Sequence, residues 1–526
     1  MKVDAPAPAS EALVRRDGTA SWLLPVLVGG VLAVALVLRF LTTSDLWLDE
    51  ALTVNIAKLP LNELRHALLR DGAPPLFYIL LHGWMVIFGS GDLAVRSLSG
   101  ALGVVMLGLT YTAGRRFGST EIEHRWAAWS AVLVVASSPF AIRYSTEARM
   151  YMLAMVLVLL GYLALVRLID EGMSAYPCTG VVLCTAGLLY TQYWSIFLLA
   201  VVGLILVLRA WRAPELERLR ARQGLLAVAV GGLLFIPWIP TFLSQLEHTG
   251  TPWDTPTTPP TGAALGIIDF VGGKTVEGWS LVLVVVVLAL LALFARSTGP
   301  RTLAIDLRTV PGVRWEWLVG VGTLFAGLIL SFAGGTGFQS RYAAVIYPFF
   351  ALAVACGVLV FTDTRIRIAL LVFIVAVGFV GGARNVATNR TQASQVVDVI
   401  TADSRPGDVV VACPDQLGPD THRLTNRRLG LDEVVYPTLA RPTFVDWFDY
   451  ATRNAAANPA QFAQRILDRA AGHQIWVIWA PQYQTFTGQC EAMINAIAKT
   501  RGAGSDRVVA DQKIYEFMGL RQFPAG

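Results

Sequence analysis

Long apolar runs separated by short polar segments dominate the chain between residues 22 and 383. A run of about 20 apolar residues is long enough to cross a lipid bilayer as a helix. Eleven runs meet or approach this length, and they predict transmembrane helices at residues 22–42, 92–114, 126–141, 148–168, 179–192, 194–210, 223–243, 279–296, 315–333, 342–361 and 367–383.

A twelfth apolar run, Leu76–Phe88, has only 13 residues and includes a histidine. That length suits an interfacial or re-entrant segment better than a span. The positive-inside rule favours the same interpretation. If the N-terminus, with Arg15 and Arg16, is cytoplasmic and this run does not span, every basic loop falls on the cytoplasmic side: Arg115–Arg125, Arg167, Arg209–Arg222, Arg296–Arg314 and Arg365–Arg367. The segments 43–91, 142–147, 244–278 and 334–341 and the C-terminus are then extracytoplasmic.

The last part of the chain has a different pattern, in which short apolar strands alternate with polar, helix-forming stretches. Strands are predicted at 408–413, 475–480 and 513–517, and an amphipathic helix at 459–471. The predicted division is a cytoplasmic tail at 1–21, a transmembrane domain at 22–383 and an extracytoplasmic α/β domain at 384–526. Cys413 and Cys490 both fall in the last domain, but spacing alone leaves open whether they pair.

Composition agrees with a membrane protein. The chain is 55% hydrophobic and 15% charged, whereas soluble domains carry about 25% charged residues. The basic balance comes from arginines between apolar runs, so no nucleic-acid partner is predicted. The sequence has no Walker A loop, no GxGxxG after a strand, no zinc-ligand spacing and no Ser-His-Asp signature, which disfavours a nucleotide-driven pump.

The first outer loop begins with Trp47-Leu48-Asp49-Glu50, directly after the first predicted span. A carboxylate at the membrane surface beside a tryptophan is partly desolvated and can serve as a general base. The alternative is a helix start followed by a solvated helix. His82, in the short apolar run, could face the same site or could be a satisfied interfacial histidine.

The second outer loop places arginines and a carboxylate between two spans, in Arg143, Tyr144, Glu147 and Arg149. Charges this close to the bilayer are costly unless they are paired or hydrated, so they mark candidate functional sites. Guanidinium groups suit the geometry of a phosphate. The alternative is that these arginines are interfacial anchors.

Two further outer segments carry polar and aromatic residues. Arg341 and Tyr342 begin a predicted span, and Gln192 and Tyr193 lie in an aromatic turn between two short spans. Aromatic rings there could stack on a sugar, and an aromatic belt at the membrane interface explains them equally well.

Taken in this order, four segments resemble the GT-C superfamily of membrane glycosyltransferases: Trp47–Ala51, Gly72–Tyr78, Tyr144–Tyr151 and Arg341-Tyr342. The resemblance is strongest to the glycosyltransferase family 39-like branch, which contains the protein O-mannosyltransferases and the aminoarabinose transferase of lipid A, and it covers roughly residues 20–390. It implies that Asp49 is the catalytic base, with Glu50 as the second acidic position of the catalytic pair. Glu147 is the acidic residue of the second loop, and the residues expected to bind the phosphate or sugar of the donor are Glu147, Arg149, Arg143, Arg341 and Tyr342. Possible further contacts with donor or acceptor are Trp47, His82, Tyr144, Gln192 and Tyr193. Relatives often have histidine where this chain has Ala73, and often near Gln192.

The resemblance also implies a polyprenyl-phosphate sugar donor in the membrane lipid and an extracytoplasmic glycan, glycolipid or protein acceptor. Mannose is the favoured sugar and arabinofuranose the second, transferred with inversion. No cofactor is required by the sequence, although Asp49 and Glu147 could share a divalent metal. The alternatives are a transporter or flippase of a lipid-linked saccharide and a non-catalytic subunit of envelope assembly.

Overall fold

A computed structural model describes residues 23–250, 254–299, 302–310, 312–425, 427–481 and 483–526. The predicted cytoplasmic tail at residues 1–21, with Arg15 and Arg16, lies outside the described residues, so its placement stays a prediction.

The first three quarters of the chain are almost entirely helical. The helices are α1 Leu23–Leu38, α2 Leu48–Ala57, α3 Leu61–Asp71, α4 Leu76–Phe88, α5 Asp92–Gly114, α6 Glu121–Ser137, α7 Pro139–Ser145, α8 Tyr151–Glu171, α9 Ala175–Leu189, α10 Ser195–Arg212, α11 Glu215–Leu233, α12 Ile239–His248, α13 Pro259–Phe270, α14 Val276–Phe294, α15 Arg314–Ala333, α16 Tyr347–Leu359 and α17 Thr364–Ala387. A short antiparallel hairpin of β1 Ala295–Gly299 and β2 Thr302–Ile305 joins α14 to α15.

The helices confirm the predicted polytopic helical membrane class. Within the described residues, eight helical stretches are long and apolar enough to cross a membrane, and the bent pair α6–α7 brings the number to nine. Val26–Leu38, Leu76–Phe88 and Ala175–Leu189 are apolar but shorter. All eleven predicted spans therefore coincide with apolar helices.

Helices α6 and α7 meet at an angle of 62°. The break follows from the sequence at the junction, because Pro139 starts α7 and cannot donate a backbone hydrogen bond to α6. The Ser138 side chain instead accepts from the backbone N–H of Ala141 and caps the new helix. This bend turns the second outer loop back towards the first.

The apolar residues between Leu52 and Leu69 have the spacing of one amphipathic helix, but this first outer segment contains two helices. Helix α2 ends at Ala57 and α3 begins at Leu61, directly after Pro60. Proline disfavours a helical conformation in the residue before it and lacks an N–H, so it starts a new helix here. Gly72 ends α3 with a φ of 84°, a conformation that glycine adopts without strain.

The C-terminal region forms a five-stranded sheet with helices on both faces. Its elements are α18 Ala393–Asp403, β3 Val409–Cys413, α19 Gly418–Leu424, β4 Asp432–Val435, α20 Tyr450–Ala455, α21 Pro459–Ala470, β5 Ile475–Trp479, α22 Gln489–Arg501, β6 Ser505–Val508 and β7 Gly519–Phe523. The strand order is β4-β3-β5-β7-β6, with β3 parallel to both β4 and β5, and β7 antiparallel to its two neighbours.

Alternate side chains of β3 enter two separate cores, as the period-two geometry of a strand requires. Val409 and Val411 belong to the core that contains Ile466 of α21, while Val410 packs in a second core with Ile400 of α18. Burial on both faces explains why the predicted strands at 408–413 and 475–480 read as continuous apolar runs. The boundaries predicted for the domains stay a prediction.

The strand predicted at 513–517 is wrong, because the strand of this region is β7, Gly519–Phe523. The residues before β7 form a turn that leaves the sheet and contacts the first outer segment. There the ring of Tyr515 meets the ring of Trp47 edge-on at 5.2 Å between centroids, and the Glu516 carboxylate accepts a hydrogen bond from the Leu48 N–H. This contact overrides the apolar alternation of the segment.

Further contacts hold the C-terminal region on the same side as the first outer segment. Arg423 pairs with Asp92 at 2.7 Å, and the Trp447 N–H donates to the Arg70 carbonyl oxygen at 3.0 Å. The sheet region and the loops between helices therefore enclose a common space.

Cys413, at the end of β3, forms a disulfide with Cys490, near the start of α22, across a sequence separation of 77 residues. A cross-link over a loop of this length stabilises a fold by about 2–4 kcal/mol through the unfolded chain. We expect Cys490→Ser to lower the melting temperature of the purified protein, measured by intrinsic fluorescence. Cys178→Ser, which removes a free cysteine, is the matched control. Equal melting temperatures for the two variants would contradict this assignment.

Candidate functional site

A cavity of about 890 Å³ lies between helix ends of the first part of the chain and the C-terminal sheet region. Its lining includes several of the residues singled out from the sequence, namely Trp47, Asp49, Arg149, Gln192, Tyr193, Arg341 and Tyr342. These residues come from four distant segments of the chain, and the fold brings them together. Other predicted site residues do not line the cavity, namely Glu50, His82, Arg143, Tyr144 and Glu147.

Asp49 lies in the first turn of α2, with its carboxylate between two guanidinium groups. Its Oδ2 atom is 3.8 Å from Arg149 Nη2 and 3.5 Å from Arg341 Nη1. The Arg149 Nη1 atom also donates to Thr53 Oγ1 at 2.7 Å, and the Thr53 hydroxyl donates to the Asp49 carbonyl oxygen at 2.6 Å. These contacts fix the position of Arg149 relative to the start of α2.

Arg341 is held against aromatic rings. Its Cζ atom lies 5.6 Å from the centroid of the Trp47 ring and 5.9 Å from that of Tyr342, within the range of a cation–π contact. Neither Arg341 nor Arg149 uses its Nε atom in a hydrogen bond among the described residues. Both arginines therefore keep donors that an anionic ligand could take up.

Glu50, the neighbour of Asp49 in sequence, is completely buried and does not line the cavity. Arg96 binds it with two hydrogen bonds, from Nε to Oε1 at 2.8 Å and from Nη2 to Oε2 at 2.5 Å, and the Ala148 N–H donates to Oε1 at 2.9 Å. Burial alone would raise the pKa of Glu50, but Arg96, assisted by Arg390, outweighs burial and lowers it. This position makes Glu50 an anchor of the first loop and differs from the catalytic position expected from the sequence.

Glu147 is also buried, behind the cavity wall. Its Oε2 atom lies 3.5 Å from Arg143 Nε and 3.9 Å from Arg390 Nη1. Burial raises the pKa of Glu147, and the nearby arginines only partly oppose it. Arg390 also lies 3.9 Å from Glu50, so it links the two buried carboxylates. The sequence predicts that Glu147 and Arg143 contact the donor directly, but neither residue lines the cavity.

The other predicted contacts divide in the same way. The Tyr144 ring packs on Phe140 at 4.6 Å, and His82 places Nδ1 2.7 Å from the Ala57 carbonyl oxygen, both away from the cavity. Gln192 lines the cavity and donates from Nε2 to the Tyr342 carbonyl oxygen at 3.0 Å. Tyr193 lines it as well, where its hydroxyl contacts Gln245.

Asp71 is a cavity residue that the sequence did not single out. The Tyr78 hydroxyl donates to its Oδ2 atom at 2.8 Å. Burial raises the pKa of Asp71 to about 6, although Arg149 opposes the shift. The one sequence signal is the run Asp71-Gly72-Ala73-Pro74-Pro75, which indicates the end of a helix and no chemistry.

Glu516, from the C-terminal region, is a second acidic cavity residue that the sequence did not single out. The Leu48 N–H lies 3.1 Å and 3.3 Å from the two carboxylate oxygens of Glu516. Burial, together with the neighbouring carboxyl group of Asp420, raises the pKa of Glu516 well above its usual range. Burial raises the pKa of Asp420 to about 6, and Thr391 donates to it at 3.0 Å. No local pattern in the sequence could link these residues to the first loop.

The described residues contain no group of three or more His, Cys, Asp or Glu side chains that could hold a metal ion. Asp49 and Glu147, predicted as possible shared ligands, each lie between two guanidinium groups. Such surroundings repel a divalent cation. These residues do not fit a metal.

The fold is similar to that of ArnT from Cupriavidus metallidurans. The ArnT crystal structure in the apo state aligns with a TM-score of 0.57 at 14% identity, covering 95% of this chain and 98% of ArnT. The structure bound to undecaprenyl phosphate aligns with a TM-score of 0.54 at 14% identity, covering 96% of this chain and 98% of ArnT. This similarity confirms the predicted GT-C-like fold.

Similarity to the Archaeoglobus fulgidus oligosaccharyltransferase is weaker, with a TM-score of 0.45 at 11% identity over 90% of this chain and 71% of that chain. No protein-family model matches the sequence, and no curated protein sequence matches it either.

Removal of Arg96 tests the anchoring of the first loop. Arg96→Met leaves the Glu50 carboxylate buried without its main partner, which typically costs about 3–5 kcal/mol. We expect a large fall in the melting temperature, and we expect the double variant Glu50→Gln/Arg96→Met to recover part of it. Arg125→Met, at an exposed ion pair, is the control. An Arg96→Met variant as stable as this control would exclude the anchoring role.

The buried Asp420 predicts a pH dependence of stability. Its pKa is raised from 3.8 to about 6. Its contribution to the free energy of unfolding is therefore fully present below the ordinary pKa and is lost as the pH rises through about 6. We expect the melting temperature to fall between about pH 4 and about pH 7, and Asp420→Asn to remove part of that slope. Asp468→Asn, on an exposed face of α21, should leave the slope unchanged. A slope that is the same in both variants contradicts the assignment.

Proposed function

We propose that this chain is a multi-pass membrane glycosyltransferase that moves a sugar from a polyprenyl-phosphate donor to an extracytoplasmic acceptor. The observation that carries the proposal is the Asp49 carboxylate between Arg149 and Arg341 on the wall of a large cavity. ArnT, whose fold this chain shares, has been crystallised bound to undecaprenyl phosphate.

The two arginines suit the phosphate of the donor. Their distances to the Asp49 carboxylate, 3.8 Å for Arg149 and 3.5 Å for Arg341, are longer than a strong charge-assisted hydrogen bond. The guanidinium nitrogens nearest to Asp49 are therefore available for phosphate oxygens, which guanidinium groups bind well, while Arg149 Nη1 stays bonded to Thr53. The polyprenyl chain stays among the apolar helices while its phosphate reaches the cavity.

The proposed reaction is a single displacement. The acceptor hydroxyl oxygen forms a bond to the anomeric carbon of the sugar while the bond from that carbon to the phosphate oxygen breaks. The electron pair of the broken bond leaves with the polyprenyl phosphate, and the hydroxyl proton passes to the Asp49 carboxylate. The positive charges of Arg149 and Arg341 stabilise the departing anion in a site that partly excludes water. Attack from the opposite face inverts the anomeric centre.

The buried charges behind the wall support this arrangement without touching the donor. Glu50, Arg96 and Arg390 hold the first loop against the second, which preorganises Asp49. Glu147 and Arg143 belong to the same supporting layer. Mannose remains the favoured sugar and arabinofuranose the second, and both rest on the family resemblance alone.

The proposed site faces the outside of the cell. The positive-inside distribution of arginines supports this orientation for the first loop and the C-terminal region. The Cys413–Cys490 disulfide supports the same orientation, since disulfides persist outside the reducing cytoplasm. Nucleotide sugars are absent there, and a lipid-linked donor fits that compartment.

Asp49→Asn tests the catalytic base. The amide keeps the shape of the side chain but cannot accept the hydroxyl proton, and loss of a general base typically costs about 10²–10⁴-fold in rate. Purified protein would be offered radiolabelled polyprenyl-phosphate mannose and polyprenyl-phosphate arabinofuranose with cell-envelope acceptors. Asp45→Asn is the matched control, because Asp45 lies on the same loop but does not line the cavity. Full activity of Asp49→Asn, or no transfer by the wild type from either donor, would overturn the proposal.

A further inference from the structure

The C-terminal region closes the cavity with the loops that follow two adjacent parallel strands. The chain leaves β3 for β4 on one side, and β5 lies on the other side of β3. In open α/β sheets, ligands bind outside the carboxyl ends of the strands at such a switch point. Gln416 and Leu417 follow β3, Ala480 and Tyr483 follow β5, and all four line the cavity.

Gln416 points independently to a polar ligand at this place. Its side chain is 1% exposed, and neither Oε1 nor Nε2 has a hydrogen-bond partner among the residues that the structure describes. Trp47 Nε1, in the helical part of the lining, is also buried and without a partner in the described part of the chain. Buried polar groups are normally hydrogen-bonded. A ligand with both hydrogen-bond donors and acceptors would supply the bonds that these atoms lack.

The charge of this wall narrows the class of ligand. The described residues that the C-terminal region contributes to the lining include no arginine or lysine, and most are aromatic or apolar. Tyr483 and Tyr515 add aromatic rings, one of which contacts Trp47. The C-terminal region supplies no cation of its own for an anion, and the nearest one, Arg341 Nη1 at 3.5 Å from the Tyr515 hydroxyl, comes from the helical part. Hydroxyl groups match the Gln416 amide, and the carbon-bound hydrogens of a sugar ring match an aromatic face.

We propose that the switch-point crevice of the C-terminal sheet is the binding subsite for a neutral saccharide, the glycan part of the acceptor. This inference rests on the proposed function and extends it, because it assigns the acceptor to a polyhydroxylated class. The cavity is polarised: the arginines of the helical part hold the anionic donor, and the C-terminal region holds the uncharged acceptor. Asp49 lies on the wall between them.

The test is binding, which does not depend on turnover. Full-length purified protein would be titrated with neutral manno-oligosaccharides and arabino-oligosaccharides, with a serine- and threonine-rich peptide, and separately with undecaprenyl phosphate. The variants are Gln416→Leu and, on the loop after β5, Tyr483→Leu. Gln464→Leu, on an exposed face of α21, is the matched control. Binding of undecaprenyl phosphate reports whether each variant is folded.

We expect at least one oligosaccharide to bind the wild type, and both Gln416→Leu and Tyr483→Leu to weaken that binding by about tenfold or more, the size of a lost hydrogen bond or stacking contact in a buried site. Undecaprenyl phosphate should bind all variants equally. Oligosaccharide affinity unchanged in both variants, or binding of the peptide alone, would overturn the inference. If one variant fails to bind undecaprenyl phosphate, it is taken as misfolded, and the oligosaccharide affinity of the other variant tests the inference.

The outcome is separable from that of the proposed function. Sugar transfer without oligosaccharide binding at this crevice would leave the transferase proposal intact and remove the subsite. Oligosaccharide binding that depends on Gln416, without transfer from either donor, would keep the subsite and remove the transferase.

Discussion

The buried ion pair between Glu50 and Arg96 is the interaction on which the rest of the site depends. Both side chains are nearly inaccessible, and an unpaired charge in such a place would be strongly destabilising. Arg96 belongs to α5 and also donates to the carbonyl oxygens of Ser44 and Asp45. One guanidinium group therefore fixes the entry to the first loop, and α2 starts from a defined position.

This constraint explains why two adjacent carboxylates have different surroundings. Successive residues of an α-helix point about 100° apart, so Asp49 lies on the cavity wall while Glu50 enters the protein. The charges form two layers: Glu50, Arg96, Arg390 and Glu147 are enclosed, and Asp49 with its two arginines borders the cavity. The enclosed layer positions the outer one, which is the arrangement that preorganised electrostatic stabilisation requires.

Much of the fold was predictable from the sequence, because the thickness of the bilayer sets the length of an apolar helix and leaves few alternatives. The segments that bring Asp49, Arg149 and Arg341 together were also recognisable, since charges at the ends of spans are rare. The depth of each charge was not predictable: Glu50 and Glu147 are enclosed only because of arginines from distant segments. The spacing of apolar residues along one helix does not indicate which distant arginines will pair with its carboxylates.

The largest departures lie where the C-terminal region meets the first loop. Residues 513–517 have the apolar alternation of a strand but form a turn, because Tyr515 and Glu516 contact Trp47 and Leu48. Gln416 lacks any sequence signal, since its importance comes from the loop position after β3 and not from its neighbours. Local rules fail at functional sites more often than elsewhere, and these departures coincide with the cavity.

The most direct measurement of the central claim is an experimental structure of the full-length protein bound to undecaprenyl phosphate. We expect the phosphate in the cavity within hydrogen-bonding distance of Arg149 and Arg341, with the Asp49 carboxylate beside the space left for the sugar. A phosphate bound elsewhere, with these two arginines still paired only to Asp49, would contradict it.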